Sequence, residues 1–201
     1  MENKYEITDI CHKRNGVTLH RIKALKDFGD VKAGDLGGWI ESEGNLSQLG
    51  DCWVYDEAVV CNRAYVYGQA VICDEAVVRG EAVVCGNAQI RNKANVCMAV
   101  KVSGAAIVCN NAQLRDGAKF SKNALIERTA DYLTLSPIGS RNDCTTFFKT
   151  ADGGIFVMCG CFRGTIDEFE QAVEKTHGDN KHGQAYRKAI ELAQIRLGRK
   201  Q

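Results

Sequence analysis

From Cys52 to Ile126 the chain repeats every six residues without an insertion. Thirteen positions, 54 to 126 in steps of six, are all apolar: eight Val, three Ile, then Leu114 and Phe120. Four residues later in each unit stands Ala, at eleven of twelve positions, with Val100 the exception. Positions 56 to 122 in the same steps are Gly, Asn or Asp ten times in twelve, departing at Met98 and Lys122. A strict period of six does not match the 3.6 of a helix. β-branched residues favour short strands, and Gly, Asn and Asp tolerate the positive φ of a tight corner. Each unit therefore reads as one short strand and one corner. Three units predict a triangular coil of eighteen residues, with the aliphatic residue on each wall and Ala in the crowded corner. Five cysteines, Cys61, Cys73, Cys85, Cys97 and Cys109, recur every twelve residues, which leaves a flat two-sided coil of twelve as the alternative.

The flanks are not repetitive. Tyr5–Thr8 and Val17–Ile22 straddle Asn15-Gly16, a strong short-range hairpin signal. Residues 1–39 are read as a hairpin cap over the first coil, residues 40–130 as the repeat, and residues 131–201 as a small α+β domain. Its expected strands are 132–138, 144–150 and 154–159, with Asp152-Gly153 turning between the last two. Thr165-Ile166-Asp167-Glu168 is a capping box, so one helix is predicted over 166–176 with Ile166, Phe169 and Val173 inward. A second, over 182–197, buries Tyr186, Ile190, Ala193 and Leu197.

Composition narrows the function classes. Lys+Arg number 26 and Asp+Glu 25, a formal net charge of +1, so neither a nucleic-acid polymer nor a membrane surface is the expected partner. No apolar run approaches the ~18 residues of a membrane span. The start Met1-Glu2-Asn3-Lys4-Tyr5 lacks a signal peptide's apolar stretch. A reducing, cytoplasmic location is expected, and the ten cysteines are then not a disulfide framework.

The units, such as Val54-Tyr55-Asp56-Glu57-Ala58-Val59, resemble the hexapeptide-repeat, parallel β-helix family. That resemblance implies a mainly β protein with a left-handed coil. The stretches Arg21–Phe28, Val31-Lys32-Ala33-Gly34-Asp35-Leu36-Gly37-Gly38-Trp39-Ile40, Asn45–Gln48 and Asp51–Val54 are similar to the cap of bacteriophage and bacterial members, some of which bear a transferase name. Ile138–Asp143, Cys159-Gly160-Cys161-Phe162 and His177–Asn180 are similar to the tails of some phage relatives. The family implies an acyltransferase as one function. Acyl transfer there needs a general-base His that reaches the attacking group, yet His12, His20, His177 and His182 all lie outside the coils and no loop leaves the coils to shape an acceptor pocket.

Three other sites are weighed. The outward residues of one wall stack as Trp53/Tyr55, Val71/Cys73, Gln89/Arg91, Ile107/Cys109 and Leu125/Glu127. So apolar a wall is seldom exposed by monomers, which suggests a subunit interface, a trimer by analogy with β-helix relatives, or the seat of the tail domain; for an adaptor it would be the surface for a protein partner. Its Cys ladder is read as packing. Cys159 and Cys161 with His177 and His182 offer two thiols and two imidazoles, although a one-residue Cys spacing is unusual for zinc; packing is the preferred reading and no metal is assigned. The third is an anion pocket. Ser140, Arg141 and Asn142 turn after one strand, and Thr145 and Thr146 sit on the next. Thr165 opens a helix, and His177, Asn180 and Lys181 join the two helices. Hydroxyls, turn N–H groups, a helix N-terminus and a guanidinium fork suit phosphate. The resulting expectation is a non-catalytic binder of a small phosphorylated, nucleotide-type ligand, without cofactor. The phage resemblance implies a use in sequestering a host immune signal, in the host cytoplasm. An acyltransferase and a structural adaptor are the alternatives.

Overall fold

A computed structural model describes residues 3–198. Its repeat is a β-solenoid of about five turns, stacked parallel. β1 (Tyr5–Arg14), β2 (Val17–Ala24) and β3 (Leu36–Ile40) are followed by thirteen two-residue strands, β4 (Trp53–Val54) to β16 (Leu125–Ile126), one in each hexapeptide. Pairing joins residues eighteen apart, as in Trp53↔Val71 and Ile107↔Leu125, which settles the triangular coil against the flat one. The first wall runs β1-β2-β3-β5-β8-β11-β14, the second β4-β7-β10-β13-β16, and the third β6-β9-β12-β15. Twelve does not divide eighteen, so the five cysteines distribute over all three walls. The expected ladder is interrupted: Cys73 and Cys109 on the second wall stand two coils apart.

The inward column from Val54 to Ile126 is buried throughout, and so are the corner alanines and Val100. All twelve corner positions from Asp56 to Lys122 have positive φ. Met98 and Lys122 adopt the left-handed conformation (φ 61° and 58°) that the repeat imposes on them. On one edge of the prism the corner side chains form a ladder. Asp74 N donates to Asp56 Oδ2 (3.1 Å), Asn92 N to Asp74 Oδ2 (2.6 Å), and Asn110 N to Asn92 Oδ1 (3.1 Å). Met98, exposed, has no acceptor to offer the corner below it. Met98→Asn relieves a left-handed cost of about 1–2 kcal/mol and supplies that acceptor to Asp116 N. It should raise the thermal midpoint, measured by calorimetry beside the parent.

The chain enters the solenoid through Gly37-Gly38. A Cβ on Gly38 would come within 2.7 Å of Ala58 O and of Val54 Cγ1, so only glycine lets β3 lie this close to the second coil. The hairpin extends the first wall, β2 pairing antiparallel with β3 and β3 parallel with β5. It thereby covers a sheet edge that would otherwise invite another strand. Lys4 is buried here; its Nζ donates to Cys52 O (2.8 Å) and Gly50 O (3.1 Å). Phe28 packs edge-on against Trp53, ring centroids 5.3 Å apart. Trp53 is consequently buried, and the apolar wall expected to be exposed begins one coil later, at Val71, and is only half-exposed, with Cys109 buried.

Beyond the solenoid, β17 (Tyr132–Ile138), β18 (Asp143–Lys149), β19 (Ile155–Cys159) and β20 (Phe162–Thr165) form an antiparallel sheet, followed by α1 (Ile166–His177) and α2 (Lys181–Leu197). β20 was not expected; it is four residues long and carries Arg163 and Gly164. One face of this sheet, with Tyr132, Phe148, Phe156 and Met158, joins the solenoid core. The other, with Phe147 and Val157, packs on Phe169, Val173, Tyr186 and Ile190 of the helices. Lys119 N donates to Thr146 Oγ1 (3.1 Å) and Ala151 N to Asn123 O (3.0 Å) across the seam. The tail thus closes the last coil as the hairpin closes the first. Among the described residues no helix is long and apolar enough to cross a membrane.

Candidate functional site

The β17–β18 turn, the β19–β20 turn and helix α1 enclose a cavity of about 240 Å³. Its walls are built from sheet and helix: Ile138, Phe162, Phe169, Ala172 and Val173. Its polar groups are Ser140, Arg141, Asp143, Thr176, His177 and the Tyr186 hydroxyl, with Cys159 and Cys161 from the β19–β20 turn. Gly139 must be glycine: it has φ 75°, and a Cβ there would overlap the Tyr186 hydroxyl at 1.8 Å. That close approach sets the direction in which Ser140 and Arg141 leave the strand.

Arg141 is exposed and makes no hydrogen bond or ion pair with any described residue. Asp143 lies on the same lining, but Lys119 Nζ stands 3.8 Å from its carboxylate. Deeper in, Thr145 Oγ1 donates to Cys159 Sγ (3.0 Å), and that sulfur is 3.3 Å from the Tyr186 hydroxyl. Burial, aided by the Cys159 contact, pushes the Tyr186 phenol well above its ordinary range. The His177 ring lies 5.7 Å from that of Tyr186 and 5.9 Å from that of His182.

The nine residues expected at an anion site separate. Ser140, Arg141 and His177 line the cavity. Thr145 touches its floor through Cys159. Thr146 faces the other way, because successive strand residues alternate faces, and its hydroxyl is engaged with the solenoid. Thr165 caps α1 reciprocally with Glu168, and Asn180 caps α2 by accepting from His182 N (2.8 Å) and Gly183 N (3.0 Å). Their oxygens already serve the orphan amides of the helix ends. Asn142, at φ 50°, and Lys181 are exposed and do not line the cavity. Phe169 and Tyr186 reach the lining by helix docking, and Cys159 and Phe162 by the pairing of β19 with β20; no local spacing marks the four as parts of one cavity. Among the described residues no three His, Cys, Asp or Glu side chains gather as a metal cage.

The hairpin also brings a histidine to the coils. The His12 ring stands edge-on to Trp39, centroids 4.2 Å apart. Trp39 Nε1 donates to Glu57 Oε2 (2.9 Å), and Arg21 pairs with the other oxygen of Glu57.

No protein-family model matches the chain. A stretch of 47 residues is 47% identical to the "Uncharacterized acetyltransferase YdcK" of Escherichia coli (strain K12). It covers 23% of this chain and 14% of that protein, so the chain spans about a seventh of the relative's length. Together with the solenoid, this likeness fits a β-helix repeat protein.

Proposed function

We propose that the protein is a non-catalytic binder that holds a small phosphorylated, nucleotide-type ligand in the tail cavity. One observation carries the reading: Arg141 is an unpaired guanidinium at the mouth of a largely apolar cavity. A planar fork of donors suits phosphate. The aromatic and aliphatic walls suit a base or sugar face. About 240 Å³ is slightly below the ~300 Å³ at which pockets for whole drug-sized molecules begin, so one ring enters and its phosphate stays at the Arg141 rim. Copies associate as a trimer through the second wall, where Val71, Ile107 and Leu125 are half-buried.

The test is a thermal-shift screen of cyclic dinucleotides and ADP-ribose-type cyclic nucleotides, parent beside Arg141→Ala. Native mass spectrometry from lysate reports subunit count and any co-purified molecule. Ligand at ~100 times its dissociation constant stabilises the parent by about 2.7 kcal/mol. A charge-assisted bond contributes about 1.5–3 kcal/mol, so Arg141→Ala weakens binding roughly 10- to 100-fold and leaves the free protein's melting unchanged. Equal shifts in both proteins remove Arg141 from the site.

A second reading is acyl transfer, favoured by the acetyltransferase name of the relative and by His12 beside the first coil. It predicts that acetyl-CoA stabilises the protein and is turned over, the turnover being lost in the double variant His12→Gln, His20→Gln. Neither is expected if the tail cavity is the working site.

A further inference from the structure

The outer face of the first wall changes character along its length. Its paired positions are Trp39, Val59, Val77, Asn95 and Gln113. The apolar part lies under the hairpin, where Leu19 packs on Trp39, Val59 and Cys61. Between the hairpin tip and the wall lies a cleft of about 300 Å³, lined by Asn15 of the tip and Asn95 of the wall. Leu19, Val59 and Val77 form its floor, and Arg14 and Arg79 stand on its lining from opposite sides, one on the hairpin and one on the coil. Neither guanidinium has a hydrogen bond or ion pair with a described residue. Both act on the buried thiol of Cys61: burial and Glu41 push it up, and Arg79 and Arg14 work against them. Glu41 itself is engaged by the backbone N–H of Asn62 (2.5 Å). Asn95 Oδ1 is shielded from solvent and has no hydrogen-bond partner. A shielded amide oxygen left unpaired costs free energy, and a ligand donor would remove that cost.

We propose that this cleft is a second ligand site, separate from the tail cavity, for a small phosphomonoester that carries an N–H or O–H donor on a compact body. The two arginines take the phosphate from both sides, Asn95 accepts from the donor, and the apolar floor receives the body. The assignment follows from complementarity. Two facing guanidiniums hold a multi-oxygen anion better than a single charge does, and a floor of Leu and Val excludes water beneath it.

The probes are AMP, whose amino group is a donor, and inorganic phosphate. Binding is read from the methyl resonances of Val59 and Val77, which line this cleft and not the tail cavity, in the full chain carrying Arg141→Ala to weaken the tail site. AMP should shift both methyls, with affinity that falls as salt rises. Arg14→Ala and Arg79→Ala should each weaken AMP and phosphate tenfold or more. Asn95→Leu should leave phosphate affinity within about twofold and abolish the preference for AMP. Since Arg14 and Arg79 are exposed, their removal leaves folding intact, which the unshifted remainder of the methyl spectrum checks. Absence of Val59 and Val77 shifts at millimolar AMP overturns the proposal, and so does AMP binding that is indifferent to both arginines. If these shifts occur while the nucleotide screen at the tail fails, the tail reading alone falls.

Discussion

Phe148→Ala should unfold the last coil and the tail together, whereas Phe147→Ala should loosen the helices and leave the coils protected. The two phenylalanines are neighbours on β18 and both are fully buried, but they belong to different cores. Phe148 lies against Phe120 (5.4 Å between centroids) and Phe156 (5.6 Å) at the mouth of the solenoid. Phe147 meets Phe169 of α1 at 5.9 Å. Truncating a buried Phe costs about 3–5 kcal/mol through lost transfer energy and the cavity left behind. In the solenoid that loss falls on the open end of a stack, where each coil is held only by its neighbours. Hydrogen exchange separates the outcomes. Phe148→Ala should deprotect the amides of Lys101 and Ser103, which bond to the final coil. Phe147→Ala should deprotect α1 and α2, keep Lys101 and Ser103 slow, and abolish the nucleotide binding proposed for the tail cavity. Identical exchange patterns in the two variants would mean that the sheet does not divide two cores.

The solenoid was legible because each coil makes the same demand at the same position. An apolar residue at 54 and every sixth residue after it leaves one solution for the wall, and even Met98 and Lys122 are carried into the left-handed corner by the units around them. The capping box at Thr165 and the inward face of α2 were legible for a similar reason: the interactions are local in sequence. What the repeat could not convey is how its flanks dock. The covering of Trp53 by Phe28 depends on the path of residues 25–35, which has no period. The parity of Thr145 and Thr146 was available in principle, since adjacent strand residues face opposite ways, but which face meets the solenoid is a tertiary choice. In the tail cavity, Ser140 and Arg141 were visible as turn chemistry. The contact of Tyr186 with Cys159 was not, because it joins α2 to β19 over 27 residues. Asn95 reads in sequence as one more outward polar residue; the hairpin tip gives its unpaired oxygen a meaning.

Ala88→Leu is the sharpest test of the corner assignment, with Ala88→Val as its graded companion. Ala88 is fully buried, as are Ala70 and Ala106, the residues eighteen before and after it in the same corner. Val71 N donates to Ala88 O and Gln89 N to Ala106 O, both at 2.9 Å, so the backbone on either side is fixed by the ladder and cannot spread. Three methyl-sized side chains in a column leave room for the inward Val and Ile of the walls and for little else. A leucine must force off-rotamer packing or part the coils, a cost of roughly 1–3 kcal/mol. For a chain of this size each kcal/mol lowers the thermal midpoint by about 2–4 °C. Valine should cost less, since Val100 occupies the equivalent place in another corner and remains fully buried. The expected order of melting is parent, then Ala88→Val, then Ala88→Leu, measured by calorimetry. If Ala88→Leu melts with the parent, the corner holds space that the stacking of Ala70, Ala88 and Ala106 denies.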